Sequence, residues 1–215
     1  DVFPGRENDR VSAFPWQELR QLDAGNWFNA AFPERARQSF AGLKILRLEE
    51  LLDLVEKGGP SPGLYLELKE VKDLPGMADD LVALLQRRGW MSEQGQGKLV
   101  LESFNGEVLA QLSRIAPTIP RMYLFDRKEG WEEKAKQAHA TLLGPHAKLL
   151  IWPPSLPGFA TRARRAGYRV QPYVLNSPTL ISLASFFGID GYFTDRCDMA
   201  LQHEGRAPAC DVEAL

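Results

Sequence analysis

Cysteine is nearly absent from this chain: Cys197 and Cys210 are the only two in 215 residues. Two thiols cannot staple a domain of this size, and without a CxxC pair or a His-rich spacing they do not read as a metal site. Two unlinked thiols are expected, with a disulfide in the tail as the alternative for an exported protein. Long apolar runs are missing as well. Nothing approaches the roughly 18 consecutive apolar residues that cross a bilayer, and no signal peptide is present. The chain therefore reads as soluble and cytoplasmic, with periplasm or secretion as alternatives. It begins with Asp1 rather than Met, as a processed, trimmed or excerpted chain would. An excess of either charge is also absent: 26 Lys and Arg face 28 Asp and Glu, a net charge of -2. Nucleic-acid binding rests on neutralising phosphates with basic residues, so this balance argues against it. The one dense basic run, RARRAGYR from Arg162, reads as a solvated helix face. No GxGxxG turn follows any apolar segment, which removes the main support for a dinucleotide fold.

What is present, 44% hydrophobic and 25% charged residues, is the composition of an ordinary globular chain, and one domain is expected. From residue 64 onward, short apolar segments alternate with helical ones. LYLEL (64–68), KLVLESF (98–104), RMYLF (121–125), AKLLIWP (147–153), RVQPYVL (169–175) and GYFTD (191–195) read as strands. Between them, the stretches 76–89, 105–115, 129–143, 156–167 and 177–188 read as helices. This is the pattern of right-handed βαβ crossovers that build a parallel sheet. An open doubly wound sheet is one outcome and a closed barrel the other. The barrel is favoured because Glu67, Lys69, Ser103, Asp126, Trp152, Asn176 and Asp195 collect where strands end, and barrel active sites are built at those ends. Eight strands are needed and six are legible. The first 63 residues read as a loop, a short helix from Trp16 to about Leu22, an irregular stretch, and a helix RLEELLDLVEKGG ending on glycines. LYLEL then becomes strand three and GYFTD strand eight, with strands one and two unaccounted for.

In GLYLELKE (63–70), Leu64, Leu66 and Leu68 alternate with Tyr65, Glu67 and Lys69. Residues two apart on a strand share a face about 6 to 7 Å apart. A carboxylate and an amine so placed suit a pocket that holds a cation and a phosphoryl oxygen together. The same pair could simply form a buried salt bridge that fills the barrel.

LDAGNWF (22–28), LRLEELLDLV (46–55), LYLELK (64–69), LESFN (101–105), YVLNSPTLISLASFFGIDGYFTD (173–195) and RCDMAL (196–201), taken in order, resemble the landmarks of glycerophosphodiester phosphodiesterases. The resemblance runs from about Phe14 to Leu201. It implies a TIM (β/α)8 barrel that cleaves small glycerophosphodiesters to sn-glycerol 3-phosphate and an alcohol with Mg²⁺ or Ca²⁺. Carried over by position, Glu67 is a metal ligand and Lys69 a catalytic residue that reaches the substrate phosphate. Tyr173 stands where the family usually has Trp and would wall the substrate pocket. Trp152 and Asn176 are further candidate substrate contacts, although Asn176 equally suits a strand-terminating turn before Ser177 and Pro178. Ser103 and Phe104 fit packing or contact equally, and Thr194 and Asp195 fit loop-capping hydrogen bonds better than chemistry. Cys197 stands at a position that is commonly Pro, and Leu46 and Arg47 replace a usual Pro or Thr environment.

The family's HRG, PEN, acid-x-Asp and His-Asp motifs, which carry its catalytic histidines and remaining metal carboxylates, have no counterpart in these 215 residues. The histidines present are His139, expected in a helix, His146, expected in the GPHAK turn before a strand, at the barrel end away from catalysis, and His203 in the tail. None is expected to act as acid or base. Two rivals therefore accompany the enzyme: a catalytically inactive barrel that binds phosphodiesters or a partner, and a Schiff-base aldolase using Lys69.

Overall fold

A computed structural model describes residues 3–58, 63–69, 74–92, 97–151 and 157–206. They divide into two compact units, one before residue 63 and one from Gly63 onward.

In the first unit, the 3-10 turns Val11–Ala13, Pro33–Arg35 and Gln38–Phe40 connect helices α1 (Trp16–Leu19), α2 (Asn26–Ala31) and α3 (Leu48–Lys57). Asp23 organises the stretch that reads as irregular. Its carboxylate accepts from the backbone N–H groups of Asn26 (2.8 Å), Gly25 (2.9 Å) and Gly42 (2.9 Å), and its backbone bridges Lys44. These donors, Asn26 first, hold its pKa below the ordinary carboxylate value. Arg20 Nη1 lies 2.6 Å from Glu50 Oε2, which also accepts from the backbone N–H of Arg47 at the start of α3.

The second unit is built on five parallel strands, β1 (Leu64–Glu67), β2 (Leu99–Ser103), β3 (Arg121–Phe125), β4 (Leu142–Pro145) and β5 (Arg169–Val170), paired in sequence order. Helices α4 (Met77–Arg87), α5 (Gly106–Ile115), α6 (Trp131–Gln137), α7 (Lys148–Ile151), α8 (Pro157–Arg165), α9 (Pro178–Phe186) and α10 (Cys197–His203) alternate with or follow them. Register sets the two faces of the sheet. Leu64 pairs with Leu99 and Leu66 with Leu101, while Tyr65 and Glu67 lie beside Val100 and Glu102 on the other face. On that second face Val100, Met122, Leu124 and Leu142 form a buried cluster, with Tyr173 and Phe193 packed against it. A separate cluster of Ala147, Leu175, Ile181, Ala184 and Ala200 holds α9 and α10. Asn105 starts α5 by accepting from the N–H groups of Glu107 and Val108, and Ser177 starts α9 by accepting from Leu180. At the far end of α5, buried Arg121 donates to the carbonyls of Ala116, Pro117 and Ile119, and to that of His139. It thereby satisfies acceptors that a helix end leaves open.

Four sequence expectations change. Of the strand expected at 147–153, Lys148–Ile151 is helical and residues 152–153 lie outside the described residues; the fourth strand is Leu142–Pro145, one segment earlier. Gly144 explains the shift, because it sits abreast of Leu124, where a Cβ would run into Leu124 Cδ2 and approach Met122 Sδ to 2.9 Å. This glycine serves close packing rather than a turn. The helix before it stops at Gln137, and His139 lies beyond it at a φ of 49°. The fifth strand is regular only over Arg169–Val170, although its bonds to β4 continue through Gln171 N to Leu143 O (2.9 Å) and Tyr173 N to Pro145 O (3.0 Å). Finally, 191–195 is not a sixth strand but an extended run, tied by Phe193 N to Pro172 O (2.9 Å) and Leu175 N to Phe193 O (2.8 Å). Among the described residues the sheet thus has five strands, and no helix is long and apolar enough to cross a membrane. Arg162, Arg164 and Arg165 are exposed on α8, as expected of that run.

Candidate active site

The first two strands carry the same pattern, L-x-L-E, at 64–67 and 99–102. Because they pair in parallel with Glu67 directly opposite Glu102, two glutamates lie abreast on adjacent strands, whose backbones are about 4.8 Å apart. Glu67 Oε2 accepts an ion pair from Lys69 Nζ at 3.1 Å, with the lysine side chain 71% exposed and the glutamate 23%. Their other features are less comfortable. Glu67 Oε1 and Glu102 Oε2 are both buried without a hydrogen-bond partner, and Glu102 as a residue is only 7% exposed. Burial, and then the neighbouring charge of Glu67, push the Glu102 carboxyl up to about 7, against a smaller pull downward from Lys69.

Both glutamates and Lys69 open onto a cavity of about 430 Å³, walled further by Phe104, Leu124, Tyr173, Val174, Phe193, Thr194 and Asp195. The strands therefore converge their C-terminal ends on one pocket, as their polar termini suggest. Tyr173 stands edge-on to Phe104 at 5.7 Å, and Phe104 remains 48% exposed. The Tyr173 hydroxyl is pushed up to about 12 by burial and by Asp126 and Glu67. Asn176 is not on the cavity wall. Its Nδ2 donates to Asp195 Oδ2 (2.8 Å), and its Oδ1 accepts from Asp195 N (2.9 Å) and Thr194 Oγ1 (3.1 Å), so it holds the two residues that are. Ser103 is likewise spent internally, donating to Leu68 O (2.7 Å) and accepting from Asn105 N (3.0 Å). Trp152 lies outside the described residues. A Schiff-base role for Lys69 requires a desolvated amine, whereas this one is exposed and ion-paired.

The placement expected for His146 is wrong. Once Leu142–Pro145 is the strand, Leu142, Gly144 and His146 follow one another on the inner face, and His146 sits just past the C-terminal end of β4. Its ring lies 5.3 Å from that of Tyr173, edge-on, and its Nδ1 accepts from Lys148 N (3.0 Å), which leaves Nε2 to carry the proton of a neutral ring. Burial and Lys148 lower its pKa, while Asp126 raises it. His146 adjoins the pocket through Tyr173 without lining it. His139 follows α6 rather than lying within it, and His203 pairs with Ser182 Oγ at 3.1 Å.

Glu102 is the residue that sequence reasoning passed over. Its signal was available in the repeated L-x-L-E, which puts a second acid at the same depth as soon as the two strands are paired in that register. Among the described residues no three His, Cys, Asp or Glu side chains gather closely enough to hold a metal ion by themselves. Two carboxylates with one orphaned oxygen each still suit a hard cation that completes its shell with water and phosphate oxygens.

Comparison with known proteins gives the same direction. Residues 3–199 match the Glycerophosphoryl diester phosphodiesterase family. A glycerophosphodiester phosphodiesterase of Bacillus subtilis (strain 168) is 29% identical over 188 residues, which cover 85% of this chain and 61% of the relative. The chain thus spans less than two thirds of that relative's length. A phosphodiesterase of Oleispira antarctica, solved in complex with the product sn-glycerol-3-phosphate, superposes with a TM-score of 0.69 at 24% identity, over 89% of this chain and 70% of that one. A structure from Galdieria sulphuraria gives 0.74 at 20% identity, over 95% and 76%. These two likenesses establish a shared fold. With the family matched over nearly its whole length, the chain belongs to the glycerophosphoryl diester phosphodiesterase family.

Proposed function

We propose that this chain carries the phosphate-cleaving site of a metal-dependent phosphodiesterase, which hydrolyses glycerophosphodiesters to sn-glycerol 3-phosphate and an alcohol. Family membership and the Bacillus relative support the reaction class. The observation that carries it to a site is Glu67, with one oxygen paired to Lys69 and the other buried and unpartnered beside the cavity. In this reading Glu67 holds Mg²⁺ or Ca²⁺. A bound divalent ion would supply Lewis-acid stabilisation of the phosphoryl oxygens. Lys69, exposed at the rim, reaches a phosphoryl oxygen and offsets the negative charge that grows as water adds. The oxygen of water bonds to phosphorus and gives up one of its protons, the bond from phosphorus to the alcohol oxygen breaks, and that oxygen takes up a proton, so none is gained or lost overall. Phe104 and Tyr173 pack the glycerol or the leaving alcohol and exclude bulk water. The five parallel strands and the 191–195 segment form part of a (β/α)8 barrel, a reading supported by the fold likenesses, and the protein works in the cytoplasm on a small diffusible substrate.

A second reading, a phosphodiester-binding barrel without turnover, is favoured by one observation. Among the described residues no histidine lies on the cavity wall, and general acid-base catalysis is worth roughly 10²- to 10⁴-fold. The test is to incubate residues 1–215 with glycerophosphocholine and Mg²⁺ or Ca²⁺, with and without chelator, while following choline release and binding of sn-glycerol 3-phosphate. Metal-dependent release supports the enzyme. Binding without release supports the second reading, and neither binding nor release overturns both.

A further inference from the structure

Resting on that reading, we propose that Glu102 is a second carboxylate ligand of the same cation, so that the site is a cross-strand pair, Glu67 and Glu102, rather than Glu67 alone. The argument begins with what surrounds Glu102. Val100 precedes it by two on its own strand, Met122 is its partner on β3, and both are buried apolar residues. An apolar side chain would pack there without cost, yet the position carries an acid with an oxygen that no donor reaches. Native structures leave few such groups, and each calls for a partner. The nearest basic group does not serve, because Lys69 places its ammonium on Glu67 Oε2. The unpartnered oxygens of the two glutamates instead belong to residues directly opposite one another across β1 and β2, and both residues line the same cavity.

One divalent ion between them answers both vacant acceptors and the repulsion of like charges at once. Two carboxylates also fit what Mg²⁺ prefers, one or two protein carboxylates with the rest of an octahedron left to water and phosphate. The cation and a phosphate monoester should therefore bind cooperatively, the phosphate oxygens and Lys69 meeting on the open side of the pair. Glu102 is a metal-binding residue in this account, and the L-x-L-E repeat is its signature in the chain.

The experiment titrates chelator-washed residues 1–215 with MgCl₂, and separately with CaCl₂, by calorimetry, with and without sn-glycerol 3-phosphate. Glu67→Gln and Glu102→Gln are each expected to weaken cation affinity at least about tenfold. Glu102→Asp, which keeps the carboxylate, should retain part of it. Circular-dichroism melting in chelator checks that each variant is folded. Unchanged affinity in folded Glu102→Gln, alongside loss in Glu67→Gln, overturns this inference and leaves the proposed function standing. A wild-type chain that binds neither ion even with sn-glycerol 3-phosphate present overturns both.

Discussion

Replacing Glu102 by Gln should make the metal-free protein more stable at alkaline pH and remove a pH dependence that the wild type shows. The carboxyl stands at about 7 in the folded chain, against an ordinary value of 4.5, first because it is buried and second because Glu67 is beside it. A carboxyl raised on folding binds its proton more tightly in the native state. Its contribution is therefore fully present below about pH 4.5 and is lost as pH rises through about 7. At about 1.4 kcal/mol per tenfold change in proton affinity, the rise from 4.5 to about 7 amounts to about 3 kcal/mol at most. For a chain of this size that corresponds to roughly 6 to 12 °C in melting temperature. The assay is urea denaturation of wild type and Glu102→Gln in EDTA between pH 4.5 and 8.5. The two curves should lie close together at the acid end, diverge between about pH 5 and 7 and then run parallel, with the variant ahead by up to about 3 kcal/mol at pH 8.5. Parallel curves across the whole range would refute the reasoning, because Glu102 would then cost nothing to ionise and its Oε2 would have to be solvated.

Lys69→Met should lower kcat/KM by about 10²- to 10³-fold, as loss of a charge contact formed in the transition state does. Its melting temperature should move by no more than about 2 °C, since the ion pair to Glu67 has one largely exposed partner; melting that collapses while the rate per folded molecule holds would assign Lys69 a structural role alone. Asn176→Ala removes three hydrogen bonds that position Thr194 and Asp195 on the cavity wall. It should cost about 1 to 3 kcal/mol, raise KM more than it lowers kcat, and speed amide exchange at Asp195. Gly144→Ala presses a methyl group against Leu124 and Met122 beneath the pocket, and should destabilise by about 1 to 3 kcal/mol in urea titrations. An unchanged midpoint there would mean that both side chains turn aside freely.

Much of this protein is legible without coordinates, because strand and helix periodicities are local. The alternation of LYLEL and KLVLESF and the helical stretches behind α3, α4, α5 and α9 depend on neighbours a few residues away, so their elements appear where the pattern puts them. The same locality placed Glu67 and Lys69 on one face at a strand end, which brought them to one ion pair. What packing decides lies elsewhere. GPH looks like a turn because glycine and proline usually make one, but Gly144 is small because Leu124 and Met122 of the next strand press on it, a contact across about twenty residues. Misplacing that strand by one segment also moved His146 to the wrong end of the sheet. The Glu67 and Glu102 pairing is of the same kind. Each L-x-L-E reads as an ordinary strand by itself, and only register, which is set by which leucines pack together, puts two acids abreast in one pocket. Asn176 ends its strand as the sequence suggests, yet its bonds to Thr194 and Asp195 exist only because the chain returns alongside it eighteen residues later. Local chemistry therefore determined the elements and one end of the site. Side chains brought together from distant segments decided which strand is fourth, which histidine adjoins the pocket and which second acid faces the first, because burial and charge repulsion act through space and leave no local pattern to read.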